Sequence, residues 1–181
     1  MSDIVSTDIN FLMEIKKNGI WMPVGKKVVD YYLTYEFKRS VLTCDSLIPL
    51  IFCQRIVSGG YNIDLIPFIR NDCNGAPNDM SSEALEYLKY ADYKISGFVT
   101  RHEIDNFNWD FKIYYQCQTT SKEKEIYLST GKIPEYTASF GTSLVDIEFT
   151  RSFLDTYREW FNEIEYLKFL GKDYRYLYYF N

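Results

Sequence analysis

The chain contains one histidine, His102, followed closely by Glu103 and Asp105. An imidazole beside a carboxylate is the smallest general-base arrangement, in which the acid orients the ring and the ring nitrogen takes the proton. If the protein is an enzyme, His102, Glu103 and Asp110 are the candidate catalytic residues, with Cys73 a formal nucleophile for the histidine. A surface histidine in the first turn of a helix explains the same residues. A single histidine excludes paired-histidine phosphodiesterases, His-Asp metal hydrolases and zinc sites built on two histidines. The chain has no G-x-S-x-G, G-x-x-x-x-G-K-[ST] or G-x-G-x-x-G, so serine-hydrolase elbows, P-loops and dinucleotide fingerprints are absent. No metal or cofactor is implied.

Two further constellations carry possible chemistry. Asp8 with Glu14-Ile15-Lys16 mimics the carboxylate and E-x-K strand of metal-dependent nucleases, in which Glu14 and Lys16 share a face. A charge pair on the wet side of an edge hairpin accounts for it equally, and no basic track for DNA accompanies it. Arg70 and Asn71 end an apolar stretch and open a polar loop, with Trp109 and Asp110 downstream. Arginine forks onto phosphate or carboxylate, and tryptophan or tyrosine stacks on a base. With Tyr61 and Asp8 added, these are the expected ligand-binding residues of a nucleotide-sized pocket. The competing reading is an arginine that ties the loop to a helix end and a tryptophan that anchors the core.

Charge narrows the partners. Twenty Lys and Arg against 25 Asp and Glu leave a net charge of −5, without the basic surface that nucleic-acid binding requires. The doublets Lys16-Lys17, Lys26-Lys27 and Lys38-Arg39 are dispersed and read as solvated strand faces. Cys44, Cys53, Cys73 and Cys117 form no C-x-x-C pair and read as reduced cytosolic thiols. The uncharged stretch Ser46 to Gln54 is too short to span a bilayer, and the first ten residues carry Asp3 and Asp8 with no apolar region typical of a secretory signal. The unusual quantity is aromatic content, 17 Tyr, 13 Phe and 3 Trp, suited to cores, interfaces and stacking pockets alike.

The elements that must position these residues follow from periodicity. Asp8 to Lys17 alternates as a strand with Ile9, Phe11, Met13 and Ile15 on one buried side. Asn18-Gly19 is a type I′ hairpin signal, and a return strand runs from Ile20 to about Lys26, with Pro23 at an edge or bulge. Val28 to Leu42 reads as strand, and Leu47 to Val57 as either a buried strand or a short helix. Tyr61 to Asn71 is expected as a short helix capped near Asp64 with Pro67 in its first turn, and Asn71 to Asp79 as a loop. Ser81-Ser82 caps a helix to about Tyr93, and Thr100 with Glu103 forms a capping box for a helix ending near Phe107. Asp110 to Thr119 reads as a strand and Ser121 to Glu125 as a charged turn. Ser143 with Asp146 resembles a second capping box. The apolar positions Ile147, Leu154, Tyr157, Phe161, Ile164 and Leu167 then predict one long helix over 146–170, ended by Gly171, with a solvated polar face. Tyr174 to Phe180, aromatic on both sides, predicts a central strand.

Several of these segments together resemble a family of small bacteriophage-encoded proteins. Asp8-Ile9, Glu14-Ile15 and Asn18-Gly19-Ile20-Trp21 are similar to its D-I-x-x-x-x-E-V opening and G-x-W turn. Tyr61-Asn62-Ile63-Asp64-Leu65 leading to Arg70-Asn71 resembles its Y-x-x-D-L to R-N segment. Pro77, Asp79, Ser81, Ser82 and Glu83 match its P-x-D-x-S-E run. Thr100, Glu103, Phe107, Trp109 and Asp110 match T-x-x-E and F-x-W-D, and Arg175 to Phe180 its closing strand. The family's histidines after the opening D-I and ahead of T-x-x-E are replaced here by Asn10 and the Lys94 to Val99 stretch.

The sequence therefore predicts a single α+β domain over 1–181. A mostly antiparallel sheet would include the N-terminal hairpin, the 110–119 strand and the C-terminal strand. A long C-terminal helix would pack on one face, with shorter helices on the other side or at an end. The resemblance implies a phage accessory protein acting in the host bacterial cytoplasm against a defence system. Such a protein would bind a nucleotide-derived signal or a host defence protein without catalysis, a homo-oligomer being left open. The alternatives are an enzyme degrading such a signal and a pure protein–protein module.

Overall fold

Ile9–Lys17 forms strand β1 and Ile20–Pro23 strand β2, joined by Asn18 and Gly19 at φ of 51° and 81°. Positive φ at both central residues is what a type I′ turn demands, so this hairpin is dictated locally. The structure is a computed structural model that describes residues 9–27, 35–42, 47–53, 66–132 and 143–180. The chain divides into two compact units. The larger takes in Met1–Ser58, Pro67–Asn108 and Tyr157–Asn181, and the smaller Gly59–Ile66 and Trp109–Thr156.

In the larger unit, Gly25–Lys27 (β3) pairs with Tyr35–Phe37 (β4), and Leu47–Cys53 forms helix α1. Ser82–Ala91 (α2), Gly97–Thr100 (β5) and Arg101–Asn106 (α3) follow. The unit's last elements are a helix over Arg158–Leu170 and a strand over Asp173–Phe180. In the smaller unit, Lys112–Thr120 (β6) and Leu144–Ser152 (β7) form a separate antiparallel ribbon. Ser121–Thr130 (α4) follows β6 and the single turn Phe153–Thr156 (α5) follows β7. The Arg158–Leu170 helix is thus α6 and the final strand β8.

The main sheet is antiparallel in the order β2-β1-β8-β5. The doubly aromatic 174–180 segment is its central strand, as expected, and every residue from Tyr174 to Tyr179 is buried. Pro23 sits on edge strand β2, where its missing N–H interrupts no further ladder. On one face Phe11, Tyr176 and Tyr178 meet Phe52 of α1 and Trp160 of α6, with ring centroids 5.9–6.2 Å apart in the Phe11–Phe52, Phe52–Tyr178 and Trp160–Tyr176 pairs. On the other face Leu12, Leu177 and Tyr179 pack with Ala84 and Leu88 of α2 and with Ile95. Strand β1 is therefore buried on both sides, not on the one side its alternation predicts.

Four local expectations need correction. The predicted 146–170 helix begins only at Phe153, because 144–152 is paired along its whole length with β6. Tyr115 stacks on the opposite Phe149 at 5.2 Å, with the Arg151 guanidinium over both rings. Consequently the 110–119 strand lies in this ribbon and not in the main sheet. Ser121 to Glu125 is the first turn of α4 rather than a turn alone, capped by a box between Thr120 and Glu123. From Ile66 to Asn71 no helix is present, and Ile69 N–H instead donates to the Ile51 carbonyl. Residues 28–34 and 54–65 lie outside the described residues, and with them the first half of the 28–42 strand and the Asp64 cap; of the rest of that strand, only Tyr35–Phe37 is extended. Of the remaining caps, Ser81 at α2 and the reciprocal Thr100–Glu103 box at α3 appear as read, whereas Ser143 with Asp146 caps no helix, because Asp146 lies in strand β7 opposite Gln118. The chain is α+β, with α6 on one face of the sheet and α2 on the other. Among the described residues no helix is long and apolar enough to cross a membrane.

Candidate functional site

The face of the sheet toward α2 gathers charged residues from distant parts of the chain. Register places Glu14 opposite Arg175 and Arg175 opposite Thr100. Arg175 is 3% exposed and Glu14 is fully buried. Each guanidinium nitrogen is engaged: Nε donates to Glu14 Oε2 at 2.7 Å, one terminal nitrogen to Asp79 Oδ1 at 2.6 Å and the other to the Asp79 carbonyl at 2.9 Å. Glu14 Oε1 accepts from the Ser81 N–H at 2.8 Å, and Trp21 Nε1 donates to Asp79 Oδ2 at 2.8 Å. The Trp21 ring lies 4.0 Å below the Arg175 guanidinium, which adds a cation–π contact.

Alongside, Arg70 donates to the Phe98 carbonyl and to Glu103 Oε1. Glu103 Oε2 accepts from the Thr100 amide and hydroxyl as the α3 cap. The Phe98 ring has Arg70 at 5.5 Å and Arg175 at 6.0 Å. Glu14, Trp21, Arg70, Asp79, Ser81, Thr100, Glu103 and Arg175, all singled out in the sequence, thus belong to one hydrogen-bonded sheet face. Its polar groups are spent on one another, so it ties the 66–81 loop and α3 to the sheet. The hydrogen bond from Arg175, opposed by burial and aided by Trp21, holds the Asp79 carboxyl below its ordinary value of 3.8. A group depressed in the folded state contributes stability above its unfolded value and loses it as pH falls through the folded one. Asp79→Asn is therefore expected to flatten the acid limb of a urea-midpoint titration below about pH 4 while leaving its slope above pH 6 unchanged. An unaltered acid limb would exclude Asp79 as the titrating group.

The other predicted residues stand as follows. His102 is exposed on α3, with Asn106 Nδ2 3.1 Å from its Nδ1. The neighbouring carboxylates are engaged elsewhere, Glu103 as above and Asp105 with Arg101 and Lys168. The nuclease-like Glu14 is held by Arg175, and Lys16 lies over Trp21 at 5.1 Å. Asn71 is exposed in the 71–79 loop. Trp109 and Asp110 belong to the smaller unit, where Trp109 is 9% exposed and stacks on Phe153 at 5.2 Å, while Asp110 is exposed. Asp8 and Tyr61 lie outside the described residues. Glu163, expected on a solvated helix face, is 6% exposed. It accepts hydrogen bonds from the Ser40 and Tyr176 hydroxyls at 2.7 and 2.8 Å and from the Val41 N–H at 3.1 Å. Helix α6 turns this side toward the sheet, not toward water.

A cavity of about 530 Å³ opens elsewhere in the larger unit, between the β1–β2 hairpin, the β3–β4 pair and the end of α6. Lys17, Lys26, Glu36 and Lys38 are the charged residues of its wall, and Phe37, Met22 and Tyr166 supply apolar surface. Lys26 pairs with Glu36 at 3.1 Å, so three ammoniums against one carboxylate leave two positive charges in excess. Tyr166 is 43% exposed, with Lys38 Nζ 4.1 Å from its ring centre. The volume falls in the range of small-molecule sites. The arrangement supplies what an anion carrying a flat ring requires: mobile ammoniums for the charge and an exposed ring for the plane. The sequence reads these lysines as dispersed, solvated strand faces and gives Tyr166 no role. Their signal was the recurrence of a basic doublet at the ends of successive strand segments, which the meander brings to one rim. Comparison with protein-family models, curated proteins and solved structures finds no match to the chain.

Proposed function

We propose that the protein is a non-enzymatic phage accessory protein that captures a nucleotide-derived immune signal and so antagonises bacterial defence. The ligand would sit in the cavity rimmed by Lys17, Lys26 and Lys38. The single observation that carries this reading is the pairing of excess positive charge with an exposed tyrosine ring at a cavity of small-molecule size. The setting rests on the resemblance between the 8–21, 61–71, 77–83, 100–110 and 175–180 segments and small phage proteins. In capture, the base stacks on Tyr166, a contact worth about 1–3 kcal/mol. The lysines meet the phosphates, so affinity falls as salt screens them.

Titration calorimetry with a panel of cyclic dinucleotides and ADP-ribose-type nucleotides tests this. At least one should bind, should weaken with rising salt, and should be recovered intact after the protein is denatured. Tyr166→Ala and Lys38→Ala are expected to weaken binding about tenfold or more at unchanged melting temperature. Cleaved product would turn the reading to an enzyme. No binding by any member of the panel would turn it to a protein partner.

A further inference from the structure

We infer that Cys53 and Cys73 form a reversible disulfide-forming pair, oxidised by peroxide, that staples the end of α1 to the loop running alongside β5. Cys53, the last residue of α1, is buried, whereas Cys73 is exposed. Their sulfurs are 3.0 Å apart although the residues are 20 positions apart in the chain. A disulfide bond is about 2.0 Å long, so closing the pair requires an approach of about 1 Å.

The two backbones are already held together. Cys53 Sγ contacts the Pro49 carbonyl at 3.4 Å, which orients it on the helix. The loop carrying Cys73 is fastened on both sides. Ile69 N–H donates to the Ile51 carbonyl at 2.6 Å, and Gly75 N–H donates to the Ser96 carbonyl at 3.0 Å. Asn74 Oδ1 accepts from the Phe98 N–H at 2.9 Å. Gly97 makes this approach feasible, since a Cβ there would lie 2.2 Å from the Tyr178 hydroxyl and 2.7 Å from Asn74 Oδ1. The buried Tyr178 ring closes the site from the sheet side. Burial, together with the Cys53 and Cys73 sulfurs beside it, pushes the Tyr178 hydroxyl well above tyrosine's ordinary value, so it stays neutral.

Exposure and burial divide the work. The Cys73 thiolate attacks one oxygen of hydrogen peroxide, the O–O bond breaks, and the departing hydroxide takes a proton as water, leaving Cys73 as the sulfenic acid. The Cys53 sulfur then attacks the Cys73 sulfur, the S–O bond breaks, and a second water leaves with the Cys53 proton. Two thiols are oxidised by two electrons in total and one peroxide is reduced to two waters. A small thiol reverses the reaction by exchange.

The test treats the full-length protein with hydrogen peroxide under native conditions, traps remaining thiols with N-ethylmaleimide, and maps peptides by mass spectrometry. The expected product is one cross-linked peptide joining Cys53 to Cys73, with loss of two hydrogens, removed by dithiothreitol. Closing a loop of this size is expected to raise the melting temperature by about 5–10 °C, and Cys73→Ser should abolish both the cross-link and the rise. Cys73 is exposed, so this variant keeps the fold even if Cys53→Ser does not. Pairing of Cys73 with Cys44 or Cys117, a cross-link formed only in urea, or oxidation of Cys73 to the sulfinic acid with Cys53 still alkylated after unfolding would each overturn the inference.

Discussion

Arg175→Met is expected to destabilise the protein by about 3–5 kcal/mol, read as a fall in the urea midpoint at constant m value. The substitution keeps the length of the side chain but leaves the Glu14 carboxylate, fully buried, with only the Ser81 N–H at 2.8 Å. Water cannot reach it, and a buried charge that loses its partner retains most of its desolvation penalty. Glu14→Leu alone should be similarly costly, because the 3% exposed guanidinium would keep one carboxylate, that of the surface-exposed Asp79, beside the Trp21 and Phe98 rings. The double variant should be much less destabilised than the sum of the singles, since two apolar side chains of similar volume need no pairing. A double-mutant cycle with a coupling energy below about 0.5 kcal/mol would show the two residues acting independently. It would remove the sheet-face network as the anchor of the 66–81 loop.

Glu163→Ala should have the next largest effect, about 2–4 kcal/mol. It removes the acceptor of the fully buried Tyr176 hydroxyl and of the Ser40 hydroxyl, whose oxygen still accepts from the Leu42 N–H, whereas the Val41 N–H belongs to a residue 50% exposed and recovers a water partner. Burial first, and then the Glu163 charge, keep the Tyr176 hydroxyl well above tyrosine's ordinary value, so it stays protonated and donates to Glu163. Adding Tyr176→Phe to Glu163→Ala should therefore restore about 1 kcal/mol by removing one stranded donor. Further destabilisation by Tyr176→Phe in that background would show that the hydroxyl has another partner. Glu163→Gln should fall between, keeping one acceptor oxygen for the hydroxyls. The readout is again the urea midpoint. Because Glu163 also fixes residues 40–42, which follow the Lys38 rim, Glu163→Ala is expected to weaken any ligand seated in the cavity as well.

Some of this molecule was legible in the sequence because its causes are local. Positive φ at Asn18 and Gly19, the Ser81 cap and the Thr100–Glu103 box each act within four residues, so residue type alone decides them. The 174–180 strand was legible for a different reason: a run of aromatic residues with no polar side must be covered twice. The 144–152 segment was not legible. Only its Ile147 joins the helical series that runs on through Leu154, and pairing with 112–120, about 30 residues away in sequence, makes the segment a strand. Glu14 read as a solvated charge because its partner, Arg175, is 161 positions distant. The same holds for Cys53 and Cys73, and for the lysines of three separate doublets that the fold places on one rim.

By itself, then, the order of residues determined the 18–19 turn, the Ser81 and Thr100 caps, the inner 174–180 strand and the α+β class, all set by backbone preference and hydrophobic pattern within a short window. Only the tertiary structure decided which charges are buried in pairs, which sulfurs meet and where a cavity opens. Those outcomes depend on contacts between segments that local free energies leave undetermined.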